Sequence, residues 1–234
     1  MQIFVLTLFP DMFAGVLTQS ILKRAIERDL LTITCYNIRD FARGKHKMTD
    51  DVPYGGGGGM VMKPEPIFAA VEHVIQAHQL RAPHVVYLTP QGTLLTQERA
   101  KTLALEDELI LLCGRYEGID ERVRIALVDQ EISIGDYVLT GGELAAMVLI
   151  DVVARMIPAV VGKARSVVND SFYTPCLDYP HYTRPQSFRG MTVPDVLVSG
   201  DHKKIDAWRT HEARKRTQQR RPDLLGTNDD TGNE

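Results

Sequence analysis

The stretch that decides the fold runs from Leu109 to Leu144. It reads L-I-L-L-C-G-R-Y-E-G-I-D-E-R-V over 109–123 and, after a short helical spacer, I-S-I-G-D-Y-V-L-T-G-G-E-L over 132–144. Two apolar runs, Leu109–Cys113 and Glu131–Ile134, have strand length and each stops at a glycine. Polar residues follow both stops: Arg115, Tyr116, Glu117 and Gly118 after the first, Gly135, Asp136, Tyr137, Gly141 and Gly142 after the second. If the runs are neighbouring strands of a parallel sheet, both loops leave its carboxyl edge, where open α/β sheets bind ligands.

Working outward, the same alternation covers the first two-thirds of the chain. Gln2–Leu8 and Leu31–Ile38 read as strands around a helix that opens at Pro10-Asp11 and carries Met12, Val16, Leu17, Ile21, Leu22, Ala25 and Ile26 at helical spacing. Pro64–Gln79 reads as a helix and His84–Leu88 as a strand that stops at Thr89-Pro90-Gln91-Gly92. Helices are expected at Thr96–Ala104, Ile119–Val128 and Glu143–Ile157. Strand–helix–strand repetition argues an α/β fold on a parallel sheet. Three strand-end loops, 89–92, 114–118 and 135–142, are the candidate ligand edge.

Between the second strand and the next helix, Arg39 to Lys63 holds five cations, Asp50-Asp51, Pro53-Tyr54 and five glycines, Gly55–Gly59. A stretch this long is either functional or a linker, and its charged and aromatic flanks are not those of a Gly/Ser spacer. It matches neither nucleotide-binding glycine fingerprint.

After Pro158 the character changes. Gly162–Pro185 is polar, with prolines and aromatics; a short helix opens at Val193-Pro194-Asp195, and Asp201–Arg220 is a longer helix around Trp208. Over 201–223, Lys203, Lys204, Arg209, Arg214, Lys215, Arg216, Arg220 and Arg221 face four acids, Asp201, Asp206, Glu212 and Asp223. A basic helix on a chain of net charge −3 fits phosphate contact, and equally fits a solvated face.

The totals bound the class. At 234 residues with 44% apolar and 24% charged side chains, the composition is that of an ordinary globular protein. Cys35, Cys113 and Cys176 are far apart and form no C-x-x-C, so neither a disulfide framework nor a zinc site is expected. The histidines make no H-E-x-x-H, and no metal ligands are assigned. Ile3–Phe9 lacks the basic flank of a signal peptide, and Leu144–Val161 is interrupted by Asp151 and Arg155, so no membrane span and a cytoplasmic protein are expected.

Single residues stay ambiguous on this reading. Arg155 can pair with Asp151 on one helix face or aim its charge at a site. Glu117 can pair with Arg115 or Arg122, or sit by a cationic ligand. Asp170 and Asp178 are equivalent loop aspartates, while Tyr182 and Arg184, in P-H-Y-T-R-P over 180–185, can stack on a base or pack on a partner.

Three motifs go further: D-D-x-P-Y-G-G-G-x-G-M over 50–60, C-G-R-Y-E-G-I-D-E-R over 113–122, and S-I-G-D-Y-V-L-x-G-G-E-L over 133–144. With L-F-P at 8–10, P-Q-G at 90–92, D-S-F at 170–172 and the 180–185 motif, they run in one order along nearly the whole chain. In these the chain resembles the bacterial tRNA (guanine-37-N1)-methyltransferases, the TrmD family of SPOUT methyltransferases.

That resemblance implies a trefoil knot in the parallel sheet over roughly 86–142 and a small helical carboxyl-terminal domain. The organisation expected from it is a knotted α/β domain over 1–160, a connector over 161–185 and a helical tRNA-binding domain over 186–234. It implies an obligate homodimer with active sites shared between subunits, and S-adenosylmethionine as methyl donor. The donor would be held by Tyr87, Leu88, Pro90, Gly114, Tyr116, Glu117, Gly118, Ser133, Ile134, Gly135, Asp136, Tyr137, Val138, Leu139, Gly141 and Gly142. It implies Asp170 as the base for guanine N1 and Arg155 as the cation at O6. Asp50, Tyr54, Gly55, Gly59, Met60, Tyr182, Arg184, Lys215 and Arg220 would meet the tRNA. The resemblance also implies magnesium dependence; with no carboxylate cage in the sequence, such an ion would be loosely held. Two rivals are a ribose 2′-O-methyltransferase of the same superfamily and a non-catalytic RNA-binding module.

Overall fold

The computed structural model describes residues 1–162 and 170–226. Residues 163–169 of the expected connector and the polar end 227–234 lie outside the described residues. The chain divides into two compact units, 1–162 and 163–234.

The first unit is built on a five-stranded parallel sheet in the order β2-β1-β6-β5-β7. Its strands are β1 (Gln2–Thr7), β2 (Thr32–Asn37), β5 (His84–Leu94), β6 (Glu108–Cys113) and β7 (Gln130–Ser133). β1, β5 and β6 are central, and their apolar runs are continuous because both faces are covered. Alternate residues sort to the two faces. Ile3, Val5, Val86, Leu88, Leu109 and Leu111 join the core beneath α2 (Ser20–Glu27), α4 (Gln97–Leu103) and α6 (Glu143–Met156). Phe4, Leu6, Val85, Tyr87, Ile110 and Leu112 join a second core beneath α3 (Pro64–His78) and α5 (Glu121–Leu127).

Three expectations are corrected. The runs 109–113 and 131–134 are not neighbours, because β5 lies between them. The strand at 84–88 does not end at Thr89-Pro90-Gln91-Gly92: it bulges there, shifts register between Leu88 and Thr93, and continues along β7 to Leu94. Gly92 makes the rejoining possible, because a Cβ there would collide with the Glu131 backbone. Pro90 lacks an N–H and sits within the bulge. The helix expected to run on from Pro10 is three pieces: a 3-10 turn Pro10–Phe13, α1 (Ala14–Leu17) and α2. The Thr18 hydroxyl donates to the Ala14 carbonyl at 2.7 Å and Ser20 takes φ +53°, which closes α1 before α2 begins.

The 39–63 stretch is also more ordered than a loop. β3 (Asp50–Asp51) and β4 (Val61–Met62) pair as a short antiparallel hairpin whose tip is the glycine run.

In the second unit, a short helix Asp195–Val198 precedes the long helix His202–Arg220. Residues 170–185 pack on that long helix. The buried Thr217 hydroxyl receives the Leu177 N–H at 2.9 Å and lies 3.1 Å from the Cys176 sulfur. Arg209 lies over the Tyr179 ring, and Tyr182 stands beside Trp208 with ring centroids 6.4 Å apart.

Candidate functional site

The sheet's carboxyl edge forms a cavity of about 400 Å³, a volume suited to one small ligand. The β5 bulge contributes Tyr87, Leu88, Thr89, Pro90 and Gln91 to its wall. The loop after β6 contributes Gly114 through Ile119, and the loop after β7 contributes Gly135 and Tyr137 through Gly142. Of the residues assigned to the donor, Tyr87, Leu88, Pro90, Gly114, Tyr116, Glu117, Gly118, Ser133, Ile134, Gly135, Tyr137, Val138, Leu139, Gly141 and Gly142 all line this one cavity. Asp136 does not; it stands outside the lining at the turn.

Local bonds explain why the three loops converge. Gly142 N–H donates to the Gly114 carbonyl at 2.9 Å, and Arg115 and Gly141 form an antiparallel bridge, so the loop after β7 is laid across the end of β6. Only a glycine fits at 142, where a Cβ would stand 2.9 Å from the Cys113 Cα. The glycine-rich hairpin is tied to the same loop: Glu117 N–H donates to Met60 O at 3.0 Å, Met62 N–H to Gly118 O at 2.9 Å, and Asp120 N–H to Met62 O at 2.9 Å. Gly59 and Met60 are thereby held against Glu117, while Tyr54 at the hairpin tip is fully exposed and Asp50 is half-buried beside Met62. Gly55 keeps a positive φ of +84° with open space around it.

The charges settle one ambiguity. Arg115 pairs with Glu143, Nε to Oε2 at 3.0 Å, and Arg122 pairs with Asp120 at 2.8 Å. Glu117 therefore has neither arginine, and among the described residues its exposed carboxylate has no hydrogen-bond or ion-pair partner. Across the cavity, Arg124 is held by Glu121 and by Glu131, the latter at 3.1 Å. The Tyr87 phenol forms part of the floor. Burial pushes it above its ordinary value, more than the contacts its oxygen makes with Ile119 and Thr89 pull it down, so the phenol stays neutral.

The sequence reading missed the cluster beneath the wall. Glu143 opens α6 and is 1% exposed. Its Oε1 accepts the Thr7 hydroxyl at 2.8 Å. Arg115, whose side chain is 16% exposed, also donates to Thr140 O at 3.1 Å and lies 4.4 Å over the Phe9 ring. Nε and Oε2 meet at ion-pair distance without an aligned hydrogen bond, so the contact is chiefly Coulombic. The available signal was an acid directly after two glycines at a helix start, where the helix dipole favours negative charge.

Arg155 stands half-buried in the last turn of α6. Asp170 is half-buried at a turn closed by Tyr173 N–H on its carbonyl at 3.2 Å. Its rival Asp178 is taken up locally, accepting from Tyr179 N–H at 2.7 Å and meeting His181 Nε2 at 2.7 Å. On the long helix, Arg216 donates to the Asp178 carbonyl and Arg221 forks onto Asp223, so both are partly used inside the unit. Lys215 and Arg220 are exposed without an ion pair among the described residues, and Arg184 is exposed. Among the described residues no group of three or more His, Cys, Asp or Glu could hold a metal ion, and no helix is long and apolar enough to cross a membrane.

A parallel sheet with a glycine-walled, acid-bearing cavity at its carboxyl edge is the arrangement in which open α/β proteins take their ligands. A family model described as tRNA (Guanine-1)-methyltransferase TrmD matches residues 1–227, and the chain belongs to that family. A tRNA (guanine-N(1)-)-methyltransferase of Anoxybacillus flavithermus is 58% identical over 227 residues, 97% of this chain and 92% of the relative. Proteins of the same description from Pelotomaculum thermopropionicum and Bacillus cereus are 57% and 56% identical, covering 96% and 98% of this chain and 90% and 93% of theirs.

Proposed function

We propose that this chain transfers the methyl group of S-adenosylmethionine to N1 of guanine 37 in tRNA, next to the anticodon, on tRNAs with guanine at both 36 and 37. The observation that carries the reading is the cavity of about 400 Å³ in a chain of this family, with the Glu117 carboxylate, unpartnered among the described residues, on its wall. The residues fit the donor: glycine backbone for close approach, neutral Tyr87 on the floor, and a carboxylate where the ligand carries positive charge. When bound, the donor supplies a methyl group on a positively charged sulfur. Asp136, outside the lining, acts through the turn rather than by contact.

N1 of guanine carries a proton and is a poor nucleophile until a base removes it. Asp170 takes that proton as N1 attacks, and Arg155 meets the negative charge that develops on O6. The glycine hairpin at 55–60 lets an extruded base lie against backbone, with Asp50 and Tyr54 nearby. Tyr182, Arg184, Lys215 and Arg220 meet the rest of the tRNA. A homodimer with shared sites is supported by an apolar strip of Phe9, Met12, Leu144 and Val148, each about 40–48% exposed. On the same reading the sheet is knotted over roughly 86–142, a methyl-donor domain over 1–160 is joined through 161–185 to a helical tRNA-binding end over 186–234, and the protein works in the cytoplasm. Magnesium would enter with the tRNA or donor rather than in a protein cage. The test is transfer of labelled methyl from S-adenosylmethionine to tRNA transcripts: incorporation is expected with guanine at 37 and lost with adenine there, and equal labelling of both would refute the assignment.

A further inference from the structure

We propose that Glu143, a buried carboxylate outside the cavity wall, sets the cavity's selectivity for the cationic methyl donor over its neutral demethylated product. The inference rests on the reading that the cavity takes S-adenosylmethionine. Methyl transfer leaves the sulfur's bonding pair behind, so the sulfonium becomes an uncharged thioether. Donor and product are then nearly the same shape and differ by one positive charge.

The charges around the cavity are asymmetric. Arg115 and Arg124 line it, together with Glu117, Glu121 and Glu131. Arg124 is consumed by Glu121 and Glu131. Those two carboxylates outnumber their arginine by one, and beside them stand Arg115 and Glu117, a cation that would cancel the wall's carboxylate without an arginine of its own. Glu143 removes that cancellation from behind. It is 1% exposed, absent from the lining, and 3.0 Å from Arg115 Nε. Arg115 cannot swing away, because the Thr140 carbonyl and the Phe9 ring also hold it. A charge this buried is poorly screened by salt, so its compensation is felt in the cavity.

The experiment is calorimetric titration of the full-length protein with S-adenosylmethionine and, separately, with S-adenosylhomocysteine. Glu143→Gln keeps the shape and can still accept from Thr7, but leaves Arg115 uncompensated. The donor-to-product affinity ratio is expected to fall by roughly tenfold, through the donor alone. Arg115→Gln has the opposite sign and is expected to raise the ratio. The double variant, with neither charge, is expected to return the ratio to within about twofold of the parent, since the pair it lacks is neutral. Loss of packing alone would weaken both ligands together and leave the ratio still. An unmoved ratio in either folded single variant overturns the proposal. A parent protein that binds neither ligand overturns the cavity reading, and the proposal with it.

Discussion

Gly142→Ala is the substitution whose outcome follows most directly from the geometry. Gly142 has φ −77° and ψ −9°, so alanine meets no backbone strain there. Losing chain freedom in the unfolded state favours alanine by about 0.4–1 kcal/mol, and alanine's poorer fit than glycine to a helix N-cap opposes it. Those terms largely cancel, which leaves sterics to decide. The new Cβ would lie 2.9 Å from Cys113 Cα, 3.1 Å from Gly114 N and 3.3 Å from Cys113 Cβ. Carbon atoms sit best at about 3.5–4.0 Å, so α6 and the end of β6 must part by roughly half an ångström. Overpacking of this kind costs about 1–3 kcal/mol, or about 2–12 °C in Tm for a chain of this size. Gly114 and Gly142 both line the cavity, so donor affinity is expected to fall as well. Thermal melts and calorimetry measure both effects. The control is Gly15→Ala in α1, where a Cβ meets nothing within 4 Å and melting should stay level or rise. Refutation would be a Gly142→Ala protein with parental Tm and donor affinity within about twofold.

Other perturbations carry their own readouts. Asp170→Asn keeps shape but cannot take a proton and should cost turnover by about 10²–10⁴-fold with tRNA and donor affinity retained; Arg155→Ala should likewise cost turnover more than binding. If Asp170 and Arg155 reach each shared site from different subunits, mixing the two inactive variants under subunit exchange should restore part of the activity, and a dead mixture with proven mixed dimers rejects that assignment. Replacing Lys203, Arg214, Lys215 and Arg220 by Gln should flatten the salt dependence of tRNA binding by a log–log slope of roughly 3, whereas Arg216→Gln should show mainly in stability, because it serves the Asp178 carbonyl. Burial raises the Cys35 thiol from 9.0 to about 11, so its alkylation in the native protein should rise towards pH 11 rather than 9. The sign for stability follows: above pH 9 the unfolded chain gives up that proton first, so the contribution present below pH 9 is lost between 9 and about 11.

The central strands β1 and β6 were legible to within a residue or two of their ends because they are buried on both faces and read as unbroken apolar runs, and the edge strand β7 was placed as closely by the glycine that follows it. β5 was cut short because Pro90 and Gly92 read as a stop, when they instead make a bulge whose far side rejoins β7. Strand order was not legible, since periodicity reports which face a residue takes and nothing of which strand lies beside it. The hairpin at 50–62 was hidden for a related reason: two-residue strands leave no alternation to read. Within the cavity, glycine-rich loops announced themselves by composition. The Thr7–Glu143–Arg115 cluster did not, because its members are 136 and 28 positions from Glu143 and only the fold joins them. The choice of arginine partner was likewise settled by geometry, leaving Glu117 to the cavity.

The central claim is that a methyl group reaches N1 of one guanine in tRNA. Its most direct test is mass spectrometry of nucleosides and mapped fragments from a tRNA with guanines at 36 and 37, after incubation with the protein and S-adenosylmethionine. The account predicts 1-methylguanosine at position 37 and no methylated ribose. A tRNA left unmethylated, or one methylated on a 2′-oxygen, would contradict it.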